Sequence, residues 1–241
     1  MHRDEFPCPT DGLPGSPVGV QRPRPPQYFV GGIRVPYIAP WTGENARPAA
    51  ITTRLGCVGT EIGYADEGGI ADRRRGALWI RVPVKPGTGA PLLDRVHALR
   101  QRQAINHLLC RGCGKPNTGG RPDRRHLFFV ASEVGQPLAE GEKTTTPPVC
   151  DGCALETVLE GPRPRAGYVA ALVEYTSPWG VVGIVYSPDT LEPLPGDNGH
   201  KLSFVAYDDP RLRWTLACRE VVSVHGCTAV DLENLTGLSA A

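Results

Sequence analysis

Two Cys-x-x-Cys pairs, Cys110-Arg-Gly-Cys113 and Cys150-Asp-Gly-Cys153, are the residues of this chain best spaced to do chemistry. Two thiolates on one tight turn bind the same ion with little chain closure, and a second turn completes a tetrahedral sulfur site. Glycines beside the thiols permit the turn that aims backbone amides at sulfur. Two pairs separated by 36 residues point to zinc, with an iron–sulfur cluster as the alternative occupant. The second pair precedes a helical stretch, which places its thiolates near helix amides and a partial positive charge. A knuckle followed by ligands at a helix start is the treble-clef or zinc-ribbon arrangement. Four thiolates saturate zinc and leave no position for water, so the expected role of the ion is structural.

Two catalytic readings compete with that one. Pro148-Val-Cys150-Asp-Gly-Cys153 superficially resembles the Pro-Cys-x-x-Cys of nucleobase deaminases. Val149 intrudes, however, and no His-x-Glu motif supplies the third ligand and proton carrier. HNH-type nucleases also build around two Cys-x-x-Cys knuckles, and the interval here holds Asn117, Asp123 and His126, with Gly119-Gly120. The Asp-His pair of that motif is absent. His126, followed by Leu-Phe-Phe-Val, reads first as a strand-edge histidine.

Other reactive side chains have plainer readings. His97 and His107 lie ten apart on a helical stretch and share no face. Cys218, His225 and Cys227 cluster near the C-terminus and read as packing and capping before a second metal. Asp66-Glu67 and Asp208-Asp209 stand beside Gly or Pro, as turn and cap chemistry does. Arg73-Arg74-Arg75 forms a basic turn whose ordinary reading is a solvated surface. Should it join Arg95 and Arg102 on one face, the five would make a nucleic-acid-binding patch. No phosphate loop, dinucleotide fingerprint or nucleophile elbow is present.

The elements that must position these residues follow from periodicity. Tyr28-Phe-Val30 and Ile33-Arg-Val35 read as short strands around Gly31-Gly32, and Thr60–Tyr64 and Ala77–Val84 as further strands. Leu92, Val96, Leu99, Ile105 and Leu108 give a helical stripe over 92–109, after Pro91. His126–Ala131 is a buried strand and 135–148 a loop, while a short helix opens at Ala154 and ends before Gly161-Pro162. Tyr168–Tyr175 and Val181–Tyr186 read as a hairpin turning at Thr176-Ser-Pro-Trp-Gly180, with Leu202–Tyr207 as another strand. Asp209-Pro210 then starts a terminal helix that runs to His225 with Gly226 as its cap, before a last strand over Thr228–Leu232.

Bulk composition restricts the function classes. The 241 residues carry a formal net charge of +1, which gives no global attraction to nucleic acid or membrane. No stretch approaches the ~20 apolar residues of a membrane span. The N-terminus lacks an apolar signal core, which implies the cytoplasm, where thiols stay reduced and zinc accounts better than disulfides for four of the eight cysteines. Cys8, Cys57, Cys218 and Cys227 have no regular spacing. Lysine is confined to Lys85, Lys115, Lys143 and Lys201, and Ala, Val, Gly and Pro are abundant. That bias matches a G+C-rich genome such as an actinobacterial one, so arginine dominance is codon supply rather than selection for phosphate. Residues 1–27, Pro/Gly-rich and containing Arg22-Pro-Arg-Pro-Pro26, read as a flexible tail.

From Thr60 onward the chain resembles a group of actinobacterial cytoplasmic proteins. The shared segments are Ile62-Gly-Tyr-Ala-Asp-Glu67, Gly76-Ala-Leu-Trp-Ile-Arg81, Leu109-Cys-Arg-Gly-Cys-Gly114, Pro147-Pro-Val-Cys-Asp-Gly-Cys-Ala154 and Val205-Ala-Tyr-Asp-Asp-Pro210. The resemblance implies the same double-knuckle fold and carries over no activity. The expectation is therefore an α+β protein of mostly antiparallel strands, one domain over 28–241 with a zinc module at 109–160. Its expected role is that of a zinc-stabilised, non-enzymatic interaction or regulatory protein whose partner is nucleic acid or another protein. An HNH-like nuclease is the alternative, and an enzyme with an unrecognised pocket the third class.

Overall fold

The computed structural model describes residues 25–46, 49–68, 72–117, 123–131, 136, 138–160, 168–199 and 201–230. Cys8, Gly119-Gly120, the 161–162 helix stop and nearly all of the proposed tail lie outside them. The elements in chain order are β1 (Phe29–Val30), β2 (Ile33–Arg34), β3 (Ile51–Gly56), β4 (Gly59–Tyr64), β5 (Arg73–Arg74), β6 (Ala77–Trp79) and α1 (Ala98–Asn106). They continue with β7 (His126–Ala131), β8 (Lys143–Thr144), α2 (Asp151–Glu160), β9 (Tyr168–Val173), β10 (Tyr175–Val185), β11 (Ser203–Ala206), β12 (Thr215–His225) and β13 (Thr228–Val230). The class is α+β with mostly antiparallel strands, as expected from the sequence.

The largest sheet runs β11-β10-β12-β6-β5, with β8 also on β12; only the β12–β6 pairing is parallel. Its spine is the long antiparallel pair β10 and β12, in register from Tyr175↔His225 to Val185↔Thr215. A second sheet, β13-β9-β7, lies behind the cysteines, and β1-β2 and β3-β4 are separate hairpins.

Three expectations are corrected. The turn at Thr176–Gly180 lies inside β10, because β9 pairs with β7 and β13 rather than with β10. A register shift between Pro178 and Gly180 absorbs the proline, which cannot donate to the ladder. Gly180 is needed there: a Cβ on it would collide with the Val205 carbonyl oxygen of the neighbouring strand.

The terminal helix is a strand. Asp209 does cap a helical start, its Oδ1 accepting from the Arg211 amide at 2.8 Å, but this is a single 3-10 turn over Pro210–Trp214. Thr215, Val221, Val222 and Val224 then continue as β12, buried between neighbouring strands. β-branched side chains suit that pleated surface and are stiff in a helix.

The 92–109 helix shrinks to Ala98–Asn106. Leu92 and His97 give their amides to Pro40 and Ile38 carbonyls, which holds the preceding segment against the 38–40 loop instead of in a helical turn. His97 caps α1 through Nδ1, which accepts from the Arg100 amide at 3.3 Å. Leu108 takes the left-handed turn after it (φ 49°), a position that glycine commonly fills. Gln101 locks α1 to the main sheet: its amide group exchanges hydrogen bonds with the Glu220 backbone at 2.9 Å each way.

Candidate metal centre

The first knuckle hangs from the end of α1. Leu109 returns its amide to Ala104, the Cys110 amide donates to Lys115 at 2.8 Å, and the Gly114 amide donates to Cys110 at 2.7 Å, with Gly114 at φ +68° closing the turn. Backbone bonds then fix its position. Tyr37 and Ile38 donate to the Gly112 and Arg111 carbonyls, and Arg111 donates to Pro148, one residue from the second knuckle's own strand contact, Val149 to Leu127. The second pair straddles the start of α2: Cys150 precedes it, Cys153 lies in its first turn, and the Ala154 amide donates to Cys150.

The result is a compact sulfur cluster. The Sγ atoms of Cys110, Cys113, Cys150 and Cys153 all lie within 4.8 Å of one another. Cys113 and Cys150 are 3.9 Å apart, close to the ~3.8 Å edge of a tetrahedron with metal–sulfur bonds of about 2.3 Å. Cys110, Cys113 and Cys153 are buried, among Leu127, Phe129, Val149, Ala154, Ala170 and Leu172. Two amides, from Cys113 at 3.5 Å and Cys150 at 3.3 Å, point at the Cys110 sulfur.

Proton affinities agree with that geometry. Hydrogen bonds from the Cys113, Cys150 and Cys153 thiols hold Cys110 far below the ordinary thiol value. Once Cys110 is ionised, it pushes the Cys150 and Cys153 thiols far upward. Four sulfurs this close cannot all lose their protons unless a cation offsets the charge, whereas a divalent ion would deprotonate them. The donor set therefore fits a metal ion, with every position filled by protein sulfur.

The remaining candidates fall elsewhere. Among the described residues no second group of metal-ligating atoms is found. The Cys218 thiol donates to the Val182 carbonyl at 3.2 Å, and burial pushes its pKa up to about 11. His225 bridges Glu140 (2.8 Å) and Ser223 (3.0 Å), and Cys227 faces the Ala139 carbonyl. His126 opens β7 nearly buried, its Nδ1 without a hydrogen-bond partner, and burial lowers its pKa. Asn117 donates to the Val149 carbonyl at 3.2 Å, and Asp123 binds Arg125 at 2.8 Å.

The arginines divide. Arg73 turns inward, in ion pairs with Glu67 (2.6 Å) and Glu61 (3.3 Å). Arg74 reaches Asn106 of α1 at 3.0 Å, and Arg75 stacks over Tyr207 at 5.4 Å. Arg102 lies 4.3 Å over Trp79; burial and the nearby charge of Arg74 pull its pKa down. Arg74, Arg75 and Arg102 thus gather where α1 meets β5, while Arg95 stands apart beside Asp94 at 4.0 Å.

A buried ion pair escaped the sequence reading. Arg100 holds both oxygens of Glu44 at 2.6 Å, and the Trp41 and Lys85 amides donate to the same carboxylate at 2.9 and 2.8 Å. Fifty-six positions separate the partners, and only charged side chains set among apolar neighbours hint at them.

Compared with known proteins, the chain matches no family model, no curated protein and no solved structure. Fold and site together define an α+β protein with four cysteines placed where they could hold a metal ion. Among the described residues no helix is long and apolar enough to cross a membrane.

Proposed function

We propose that Cys110, Cys113, Cys150 and Cys153 bind one zinc ion in a treble-clef-like setting, and that the chain is a non-enzymatic interaction protein of the cytoplasm. The observation that carries this reading is the closed donor set, four sulfurs within 4.8 Å of one another. Zinc with four thiolates has no coordination position for a substrate or an activated water, and its binding energy becomes folding energy. It would tie together α1, the 36–38 loop, β7 and α2, the elements bonded to the two knuckles.

The partner we favour is nucleic acid. Arg74, Arg75 and Arg102 gather on one surface without an ion pair among the described residues, interleaved with Tyr207 and Trp79. Arg74 and Arg75, exposed and outside any ion pair among the described residues, suit phosphates. Trp79 is buried beneath Arg102, and Glu220 lies near that guanidinium, so what suits this surface to nucleic acid is charge rather than base stacking. Elemental analysis of the purified protein tests the metal; retention of single- or double-stranded nucleic acid at low salt tests the partner. Absence of both zinc and iron would overturn the first claim. Absence of retention would overturn the second and favour a protein partner.

A further inference from the structure

His225 stands between a carboxylate and a hydroxyl on the main sheet, in contacts that the metal centre does not explain. Its Nδ1 lies 2.8 Å from Glu140 Oε1 and its Nε2 lies 3.0 Å from Ser223 Oγ. A carboxylate can only accept, so Nδ1 carries the proton and Nε2 is left to accept from the Ser223 hydroxyl. The other contact of that hydroxyl, to the Ser177 carbonyl, is 3.5 Å, at the limit of a hydrogen bond. Glu140 is held in turn. The Gly226 amide donates to its Oε2 at 2.9 Å, and the His225 hydrogen bond keeps its pKa below the ordinary carboxylate value.

Strand register builds the surroundings. Ser223 and His225 are two apart on β12 and so share a face. Ser177 of β10 and Lys143 of β8 stand directly opposite Ser223, and Tyr175 stands opposite His225, its ring stacked on the imidazole at 4.9 Å. Residues directly across antiparallel strands project to one face, which sets Lys143 beside Ser223. The Lys143 ammonium lies 4.8 Å over the Trp179 ring, and Trp179 packs against the half-exposed Phe204 with ring centroids 6.4 Å apart. The hydroxyl thus lies between two aromatic flanks, with a cation beside it.

We propose that Ser223 is an acyl-accepting nucleophile for aryl esters, with His225 as its general base, Glu140 positioning the imidazole, and the aryl group packed against Trp179 and Phe204. The chemistry needs no co-reactant. Ser223 Oγ bonds to the ester carbonyl carbon as its proton passes to His225 Nε2. The bond from that carbon to the aryl oxygen then breaks, and the proton leaves with the aryl oxygen as a phenol. Lys143 offsets the charge that develops on the carbonyl oxygen. The site goes beyond the proposed function and is compatible with it, because one acylation per chain requires neither turnover nor the metal.

p-Nitrophenyl acetate added to the purified protein tests this, with nitrophenolate release followed by absorbance and the acetyl group located by peptide mass spectrometry. Acetyl on Ser223 is expected, and Ser223→Ala should remove that label and its share of nitrophenolate. His225→Asn should slow acetylation of Ser223 about 100-fold or more while leaving the melting temperature nearly unchanged. Glu140→Gln should slow the rate at saturating ester about tenfold and leave the half-saturating concentration alone, a split that a merely structural contact would not produce. Phe204→Ala should do the reverse, raising the half-saturating concentration about threefold or more. No acetyl on Ser223 in the wild type, or equally fast acetylation of it in His225→Asn, would overturn the proposal. A half-saturating concentration unmoved by Phe204→Ala would overturn the assignment of aryl esters.

Discussion

A Cβ built on Gly112 would lie 2.9 Å from both the Cβ and the Sγ of Cys153, so the first knuckle can approach the second only because this position has no side chain. Gly112→Ala should push the knuckles apart while leaving all four thiols in place. Metal affinity, measured by chelator competition, should fall by about 10- to 100-fold, the usual effect of disturbing the support around a metal site. Cys110→Ser should do worse, because the lost sulfur also accepts the Cys113 and Cys150 amides. Gly112→Ala with wild-type metal affinity would show that the knuckles have room to spare.

Glu44 and Arg100 make the second test, on stability. Both side chains are at most 5% exposed, so removing one partner leaves the other charge without water to solvate it. Arg100→Met should cost about 3–5 kcal/mol in urea denaturation. Glu44→Gln should fall near the same range, because it leaves Arg100 charged. The double variant should cost less than the sum of the two, since no orphaned charge remains. Simple additivity would mean that the pair is not coupled.

Acid should destabilise the same region in two stages. Burial holds His97 below its ordinary value of 6.5, and its Nδ1 must stay unprotonated to accept the Arg100 amide. Below pH 6.5 the unfolded chain therefore binds a proton that the folded chain resists, and stability falls as pH falls. Burial is the largest influence on Glu44 and opposes its ionisation. The Arg100 hydrogen bonds and charge, together with the Trp41 and Lys85 amides, outweigh it and hold the carboxyl below its ordinary 4.5; its contribution, present above that value, is lost on further acidification. His97→Asn keeps a capping acceptor without a titrating ring. Its stability, followed by urea midpoints, should decline less than that of wild type between pH 6.5 and about 5. Parallel decline would assign the acid response to other groups, the cysteine ligands foremost.

The metal centre was legible because its chemistry is local: each Cys-x-x-Cys turn is complete within four residues, and only the meeting of the two turns is tertiary. The α+β class was legible from period-2 stretches such as His126–Ala131. What failed was decided by distant partners. Thr176–Gly180 contains good turn residues, yet the pairing with β12 draws it into a bulged strand. Asp209-Pro210 is a sound helix start, but the residues after it are claimed by strands: Leu216 and Ala217 by β6, and Val221, Val222 and Val224 by β10, with β8 on the other side of Val222. Leu92–Val96 has helical spacing and lies instead against the 38–40 loop. Nothing in a single sequence could pair Glu44 with Arg100, or tell Arg73 from its two neighbours.

Those neighbours supply the last test. Arg74→Glu and Arg75→Glu alter exposed side chains outside any ion pair among the described residues, so the fold should tolerate them. If this surface carries phosphates, each reversal should weaken nucleic-acid binding for all sequences alike and reduce the slope of log K against log salt by about 1. Arg102→Glu should act in the same direction, with an added cost from its lost place over Trp79. Arg95→Glu, on a separate surface, should leave binding nearly unchanged. Arg73→Gln should lower the melting temperature before it touches affinity, because Glu61 and Glu67 lose the more buried of the two arginines they share, keeping only Arg54. Fluorescence anisotropy across a salt series reads affinity for all five, and thermal melts read the stability of Arg73→Gln. A slope unmoved by Arg74→Glu and Arg75→Glu would remove this surface from any role in holding phosphate.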